Sequence, residues 1–291
     1  MMVNPVIIIE DPINYDYSDF ITSINHNFTN SSQLDLLITG NIVDASDLNE
    51  ILFKYYSLIR KLNPNYQFKI NILFNLLGYK IKELSLNWNK GYMVNNEADF
   101  KFLNLENANY KLKSEHLSDV HDYKTSMHFN TTACGGTFDH LHEGHKILLS
   151  MSVFLTRQDL IIGITGAELL KNKKFKEVLQ SFDYRRAEVA KFIQLIIPKM
   201  VRFEIYEIND ICGPTGYIND IDSLIVSHET KSGGEFVNSY RKKYRFKPLD
   251  ITEIKVIGDE NSNESNKWAN KLSSTDIREA EYNKLQNIGQ I

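Results

Sequence analysis

The 291 residues are 42% hydrophobic and 24% charged, enough apolar material for a sizeable core and too much for a disordered chain. A formal net charge of -4 excludes the basic surface that sequence-independent nucleic-acid binding needs, and two cysteines, Cys134 and Cys212, exclude a disulfide framework or a Cys-rich zinc site. The first residues lack the basic region and cleavage site of a secretory signal, and no apolar run approaches membrane-spanning length, so a cytoplasmic protein with no membrane span and no nucleic-acid partner is expected.

Short apolar runs alternate with helical patterns along the whole chain, which predicts α/β layers around parallel sheets. The first half offers strands at Val6 to Glu10, Leu34 to Thr39 and Lys69 to Phe74, with a helix from Ala45 to Lys61 for which Asp47 is the expected N-cap. The polar segment from about Asn104 to Lys124 is the expected junction, giving an additional N-terminal α/β domain over 1–124 and a second domain over 125–291. No internal repeat is visible.

The second half has a clearer rhythm. Strand Phe129 to Cys134 runs through a Gly-Gly turn into a helix over Gly144 to Leu155; strand Leu160 to Thr165 follows, then a lysine-rich loop and a helix over Arg185 to Ile197. Strands at Arg202 to Ile208 and Ser223 to Ser227, a helix near Glu235 to Tyr244 and a strand near Ile251 to Ile257 come next. After the polar stretch that starts at Gly258, a last helix begins at Ser273 or Ser274. This succession predicts a doubly wound parallel sheet with its ligand beyond the carboxyl ends of the strands.

Two stretches carry the chemistry. Gly135-Gly136-Thr137-Phe138-Asp139-His140-Leu141-His142-Glu143-Gly144-His145 sits between the first strand of the second half and its helix, where glycines admit a ligand and a helix start presents unpaired amides to an anion. His142 and His145 share one face of that helix start, which suits a triphosphate or, with further ligands, half of a metal site. The second stretch is Ser273-Ser274-Thr275-Asp276-Ile277-Arg278, a capping sequence with a guanidinium one turn in, offering hydroxyls, amides and a fork to phosphate oxygens.

The ordered pair resembles the nucleotidyltransferase superfamily, with its Rossmann-like fold, in which a His-x-Gly-His motif and a Ser-Ser-Thr-x-Ile-Arg motif flank the nucleotide triphosphate. Within it the segment from about Thr131 to Glu279 is similar to the eukaryotic, fungal-type phosphopantetheine adenylyltransferase family. The similarity extends to Leu169-Leu170-Lys171-Asn172-Lys173, Tyr184-Arg185, Asp210-Ile211-Cys212-Gly213-Pro214, and Val226-Ser227-His228-Glu229-Thr230-Lys231-Ser232-Gly233-Gly234. His228 stands where the family usually has an acidic residue, and Ser232 where a basic one is common.

The resemblance implies transfer of AMP from ATP to 4'-phosphopantetheine, with magnesium entering on the nucleotide. Gly135, Gly136, Phe138, Gly144, Ser273, Ser274 and Thr275 are then expected around ATP, with His142 supporting the triphosphate and Arg278 gripping its outer phosphates. His145 is expected as donor to the α-phosphate. Thr137, Glu229 and either Lys171 or Lys173 are expected at the acceptor. Asp139 is expected to hydrogen-bond its own turn or else to assist with magnesium, and the Gly258 to Lys267 stretch to be a lid or a solvated loop. No Gly-x-x-x-x-Gly-Lys-Ser/Thr loop occurs, so a separate dephospho-coenzyme A kinase, as a partner in a complex, is implied. The rival readings are a cytidylyltransferase acting on a phospho-alcohol and a catalytically silent nucleotide-binding scaffold.

Overall fold

Runs of β-branched and aliphatic residues, separated by amphipathic stretches, form two separate five-stranded sheets. The computed structural model describes residues 4–28, 30–94, 105–108, 110–114, 128–257 and 273–289. The chain divides into two compact units, Met1–Ser126 and Met127–Ile291. Of the expected junction only 105–108 and 110–114 are described, and the polar stretch after Gly258 lies outside the described residues.

The first unit contains strands β1 (Pro5–Ile9), β2 (Tyr15–Asp16) and β3 (Gln33–Ile38), with helix α1 (Ser18–Ile24) between the last two. Helix α2 (Ala45–Leu62), β4 (Lys69–Leu73), α3 (Gly78–Ser85), β5 (Lys90–Val94), β6 (Leu105–Ala108) and β7 (Lys113–Ser114) follow. The order β4-β3-β1-β5-β6 is parallel throughout, and β2 pairs antiparallel with β7. All five residues of β1 are buried, as a central strand covered on both faces requires.

Helix α2 corrects one expectation. Its N-cap is Asp44, whose side chain accepts from the Ser46 and Asp47 amides at 2.7 and 3.1 Å, so Asp47 is a capped residue rather than the cap.

The second unit runs β8 (Phe129–Gly136), α4 (Glu143–Leu155), β9 (Thr156–Thr165), α5 (Ala167–Leu170), α6 (Phe182–Ile196), β10 (Arg202–Ile208), β11 (Ser223–Ser227), α7 (Lys231–Lys243), β12 (Asp250–Ile254) and α8 (Ser274–Asn287). Its sheet order is β10-β9-β8-β11-β12, again all parallel. The expected doubly wound α/β class is therefore what forms. Strand order reverses between β8 and β11, and ligands of such sheets bind in the crevice that this reversal opens at the carboxyl ends. Ala133, Ile161, Ile221, Val237 and Leu249 pack into a core that fixes β8, β9, α7 and the approach to β12 around that crevice. Among the described residues no helix is long and apolar enough to cross a membrane.

Candidate active site

β8 runs to Gly136, and Thr137–His142 carry the chain across to α4. Phe138 and His140 in this crossing have left-handed backbone, at φ 51° and 47°. Such geometry costs an ordinary residue about 1–2 kcal/mol and persists where surrounding contacts hold it. Phe138 is fully buried, with its ring centroid 5.2 Å from that of His145. Gly136 makes room for it: a Cβ there would lie 3.3 Å from the Phe138 ring. Phe138 thus supports the histidine from within the fold and does not line the cavity.

Gly144 has an equally local reason. A Cβ would meet the Ile257 carbonyl oxygen at 2.7 Å, so only glycine lets α4 begin this close to the chain leaving β12. No side chain caps the N-terminus of α4 at His142. The helix therefore directs first-turn amides and the positive end of its dipole into the crevice without a capping oxygen in front of them.

His142 and His145 stack with ring centroids 3.9 Å apart. His145 is held well below the usual histidine range, first because burial penalises the cation and then because His142, Lys173 and His140 add positive charge nearby. Its ring is a neutral imidazole with one N–H to donate, and its Nδ1 is buried with no partner among the described residues.

A cavity of about 470 Å³ opens here. Gly135, Gly136, Thr137, His142, Gly144 and His145 form its floor, while Ser273, Ser274, Thr275 and Arg278 close one side. Lys173 reaches it, and Glu229 and Thr230 stand at the β11 side. Lys171 does not line the cavity: it is exposed and paired with Glu168 one turn back. Of the two lysines, only Lys173 lines the cavity.

The α8 start is more committed than its sequence suggests. Ser273 caps the helix and donates to Asp276 Oδ2 at 2.7 Å, in a reciprocal capping box. Ser274 Oγ donates to the Asp139 carbonyl at 2.9 Å. Thr275 Oγ1 accepts from Arg278 at 3.1 Å, which leaves the threonine proton for a ligand. Arg278 is buried and gives its other two contacts to Asp139 Oδ2 at 2.6 Å and the Lys174 carbonyl at 3.0 Å. Three of its five N–H donors are committed, so two remain for a ligand.

Sequence reasoning gave Arg185 no role and passed over Thr165. Arg185 is buried, which lowers its pKa, and donates to the carbonyls of Thr137 (2.7 Å), Thr165 (2.9 Å) and Gln180 (3.1 Å). It ties together the ends of β8 and β9. Thr165 lines the cavity with a buried hydroxyl that has no partner among the described residues. A threonine ending an apolar strand gives no signal in one sequence, whereas Arg185 was visible as part of the Tyr-Arg pair. Leu169, Ile208 and Ile211 form an apolar wall beside Thr165. Among the described residues no group of three His, Cys, Asp or Glu side chains is placed to hold a metal ion, so the His-x-x-His pair has no third ligand there.

A cytidylyltransferase-like family model matches residues 133–280. A phosphopantetheine adenylyltransferase of Saccharomyces cerevisiae is 39% identical over 258 residues, covering 85% of this chain and 82% of that one. A phosphopantetheine adenylyltransferase of Pyrococcus abyssi is 33% identical over 152 residues, 52% of this chain and 90% of its own.

Proposed function

The chain belongs to the phosphopantetheine adenylyltransferase family, within the cytidylyltransferase-like nucleotidyltransferases, and from that premise we propose how its residues divide the work. The reaction joins a phosphate oxygen of 4'-phosphopantetheine to the α-phosphorus of ATP; the bond from that phosphorus to the bridging oxygen breaks, and pyrophosphate leaves with its electron pair. The product is dephospho-coenzyme A.

No protein nucleophile enters. The barrier is the approach of two anions and the charge that builds on the α-phosphate and leaving oxygens, so placed donors and cations do the catalysis. In our reading His145 donates its N–H to the α-phosphate. A neutral ring suits this role, because it donates without a competing proton transfer to the acceptor phosphate. His142 and the α4 amides hold the triphosphate, and Thr275 with the two uncommitted donors of Arg278 takes its outer phosphates.

Thr137 and Lys173 meet the acceptor phosphate, the lysine offsetting repulsion between the two anions. The apolar wall of Leu169, Ile208 and Ile211 receives the pantetheine arm, with Glu229 at the β11 side. Magnesium fits as a passenger on ATP, since Asp139, the carboxylate of the crossing from β8 to α4, is fully buried and spends its oxygens on protein donors. When bound, it neutralises charge on the phosphates. The reading places the enzyme in the cytoplasm and the kinase that consumes its product on a separate chain; fractionation and affinity capture test both.

The observation that supports this division best is the neutral, buried His145 at the foot of a cavity ringed by Lys173, Thr275 and Arg278. The test is pyrophosphate release with magnesium, comparing ATP plus 4'-phosphopantetheine against CTP plus phosphoethanolamine or phosphocholine. Release with the first pair alone is expected; release with the second alone would overturn the donor and acceptor both.

A further inference from the structure

The reacting phosphates are gripped by cations from two separate segments, Lys173 on the loop from α5 to α6 and Arg278 on α8. Their distance from one another decides whether the phosphates meet. One carboxylate touches both supports. Asp139 is fully buried, and an ionised carboxylate is retained in such a place only when it is paired and hydrogen-bonded.

Its partners are specific. Oδ2 accepts from Arg278 at 2.6 Å and lies 3.1 Å from His140 Nδ1, while Oδ1 accepts from the Gln180 amide at 3.0 Å. Its carbonyl accepts from Ser274 Oγ at 2.9 Å. The loop is held twice more, by the Arg278 Nε bond to the Lys174 carbonyl and by the bond from the His140 amide to Gln180 Oε1 at 2.8 Å. A second strut runs to α8, from His140 Nε2 to Glu281 Oε2 at 2.7 Å. Burial opposes ionisation of Asp139, and the nearby His140 ring with the bonds from Arg278 and Gln180 more than offsets it, so its pKa lies below the ordinary carboxylate value.

We infer that Asp139 is a positioning residue: it ties the loop that carries Lys173 and the helix that carries Arg278 to the histidine crossing, and so fixes the donor and acceptor phosphates at reacting distance. The inference rests on the placement of Lys173 and Arg278 given above. Asp139 touches neither substrate. Its effect reaches the reaction through two other residues and falls on the approach of the phosphates more than on the binding of either one.

Asp139→Asn keeps the size of the side chain and the acceptor for Gln180 but removes the charge that orients Arg278. In the folded protein kcat falls about 100-fold, the scale for misplacing reacting groups by about 1 Å, while each KM changes by less than about fivefold. Arg278→Lys alone also lowers kcat, and in that background Asp139→Asn lowers it by less than about threefold, because residues acting through one another do not lose independently. A folded Asp139→Asn enzyme with native kcat, or losses that multiply in the double variant, overturns the coupling. Native turnover in Arg278→Lys overturns instead the site assignment beneath it. If Asp139→Asn does not fold, Glu281→Ala decides: its side chain is 39% exposed, so the variant still folds while kcat falls, and an unchanged kcat overturns the proposal.

Discussion

At the scale of single residues, two histidines of the same crossing are shifted in opposite directions. His145 resists protonation when folded, because burial and the positive neighbours disfavour the cation. His140, five residues earlier, is raised above the usual value: burial works against the cation, but the adjacent Asp139 carboxylate and the hydrogen bond to Glu281 win. Losing the neutral donor should therefore be costly at neutral pH. His145→Ala keeps its far-ultraviolet spectrum and loses about two orders of magnitude or more in kcat, the scale for one transition-state donor; unchanged turnover in the folded variant would remove His145 from the mechanism. Lys173→Ala raises KM for the acceptor, while Lys171→Ala, at an exposed pair with Glu168, stays near native. The two histidines also pull stability in opposite directions. Unfolded His145 takes a proton near 6.5 and the folded ring does not, so stability falls as pH drops below that value. The raised His140 contributes stability that is complete below 6.5 and is lost as pH rises through its folded value. Thermal midpoints of native protein and His140→Gln should therefore converge as pH rises from the acid side, with the acid-side loss from His145 present in both. A constant offset across the range would show that His140 is not ionised in the folded chain.

At the scale of elements, the approach of α4 to the chain beyond β12 carries its own prediction. Gly144→Ala places a methyl 2.7 Å from a backbone oxygen that has little room to yield, so α4 must shift. Because the shift moves His145, the loss should be larger in kcat than in the thermal midpoint, and native kinetics would show that the helix start tolerates displacement. Element boundaries show where one sequence is informative. Arg202–Ile208 and Ser223–Ser227 match their apolar patterns to the residue, because apolar strands between turns leave little choice. Helix α7 begins at Lys231, four residues before the expected Glu235, and Gly233 and Gly234 sit inside the helix. A Cβ at Gly234 would come within 3.2 Å of Ile251, so the glycine is there for close packing against β12 rather than for a turn. Helix α3 and strand β5 left no usable signal: α3 spans eight residues with two buried, and β5 is a five-residue strand interrupted by Gly91. In the site, the two motifs pointed to the floor and the α8 side. They could not reveal that Ser273 and Ser274 are largely spent on the fold, nor that Thr165 and Arg185 complete the β9 side, because those facts depend on which strands become neighbours.

At the scale of the whole chain, no repeat is visible in the sequence, yet the two units share one sheet order. Numbered along the chain, the strands of each parallel sheet lie as third, second, first, fourth, fifth. The reversal after the first strand, where the second unit has its cavity, has an equivalent between β1 and β5. The chemistry of the two crossings differs. Where β8 ends in Gly135 and Gly136, β1 is followed by Glu10 and Asp11, whose charge opposes a phosphate. Their amides, which an anion would need, donate instead to the Tyr17 hydroxyl at 3.3 and 3.2 Å. The Asp11 carboxylate closes the turn by accepting from the Asn14 amide at 3.1 Å and the Asn14 side chain at 2.9 Å. Tyr17 is itself fixed, its amide donating to the Tyr55 hydroxyl at 3.3 Å. The first unit thus satisfies from within the groups that the second leaves open at its cavity. Calorimetric titration of the full chain with ATP and magnesium should give one site per chain. Tyr17→Phe should leave the count at one, because the acidic pair still repels phosphate after the hydroxyl is removed. A second site in the native chain would mean that the Tyr17 plug opens, and a second site only in Tyr17→Phe would mean that the hydroxyl, and not the carboxylates, keeps phosphate out.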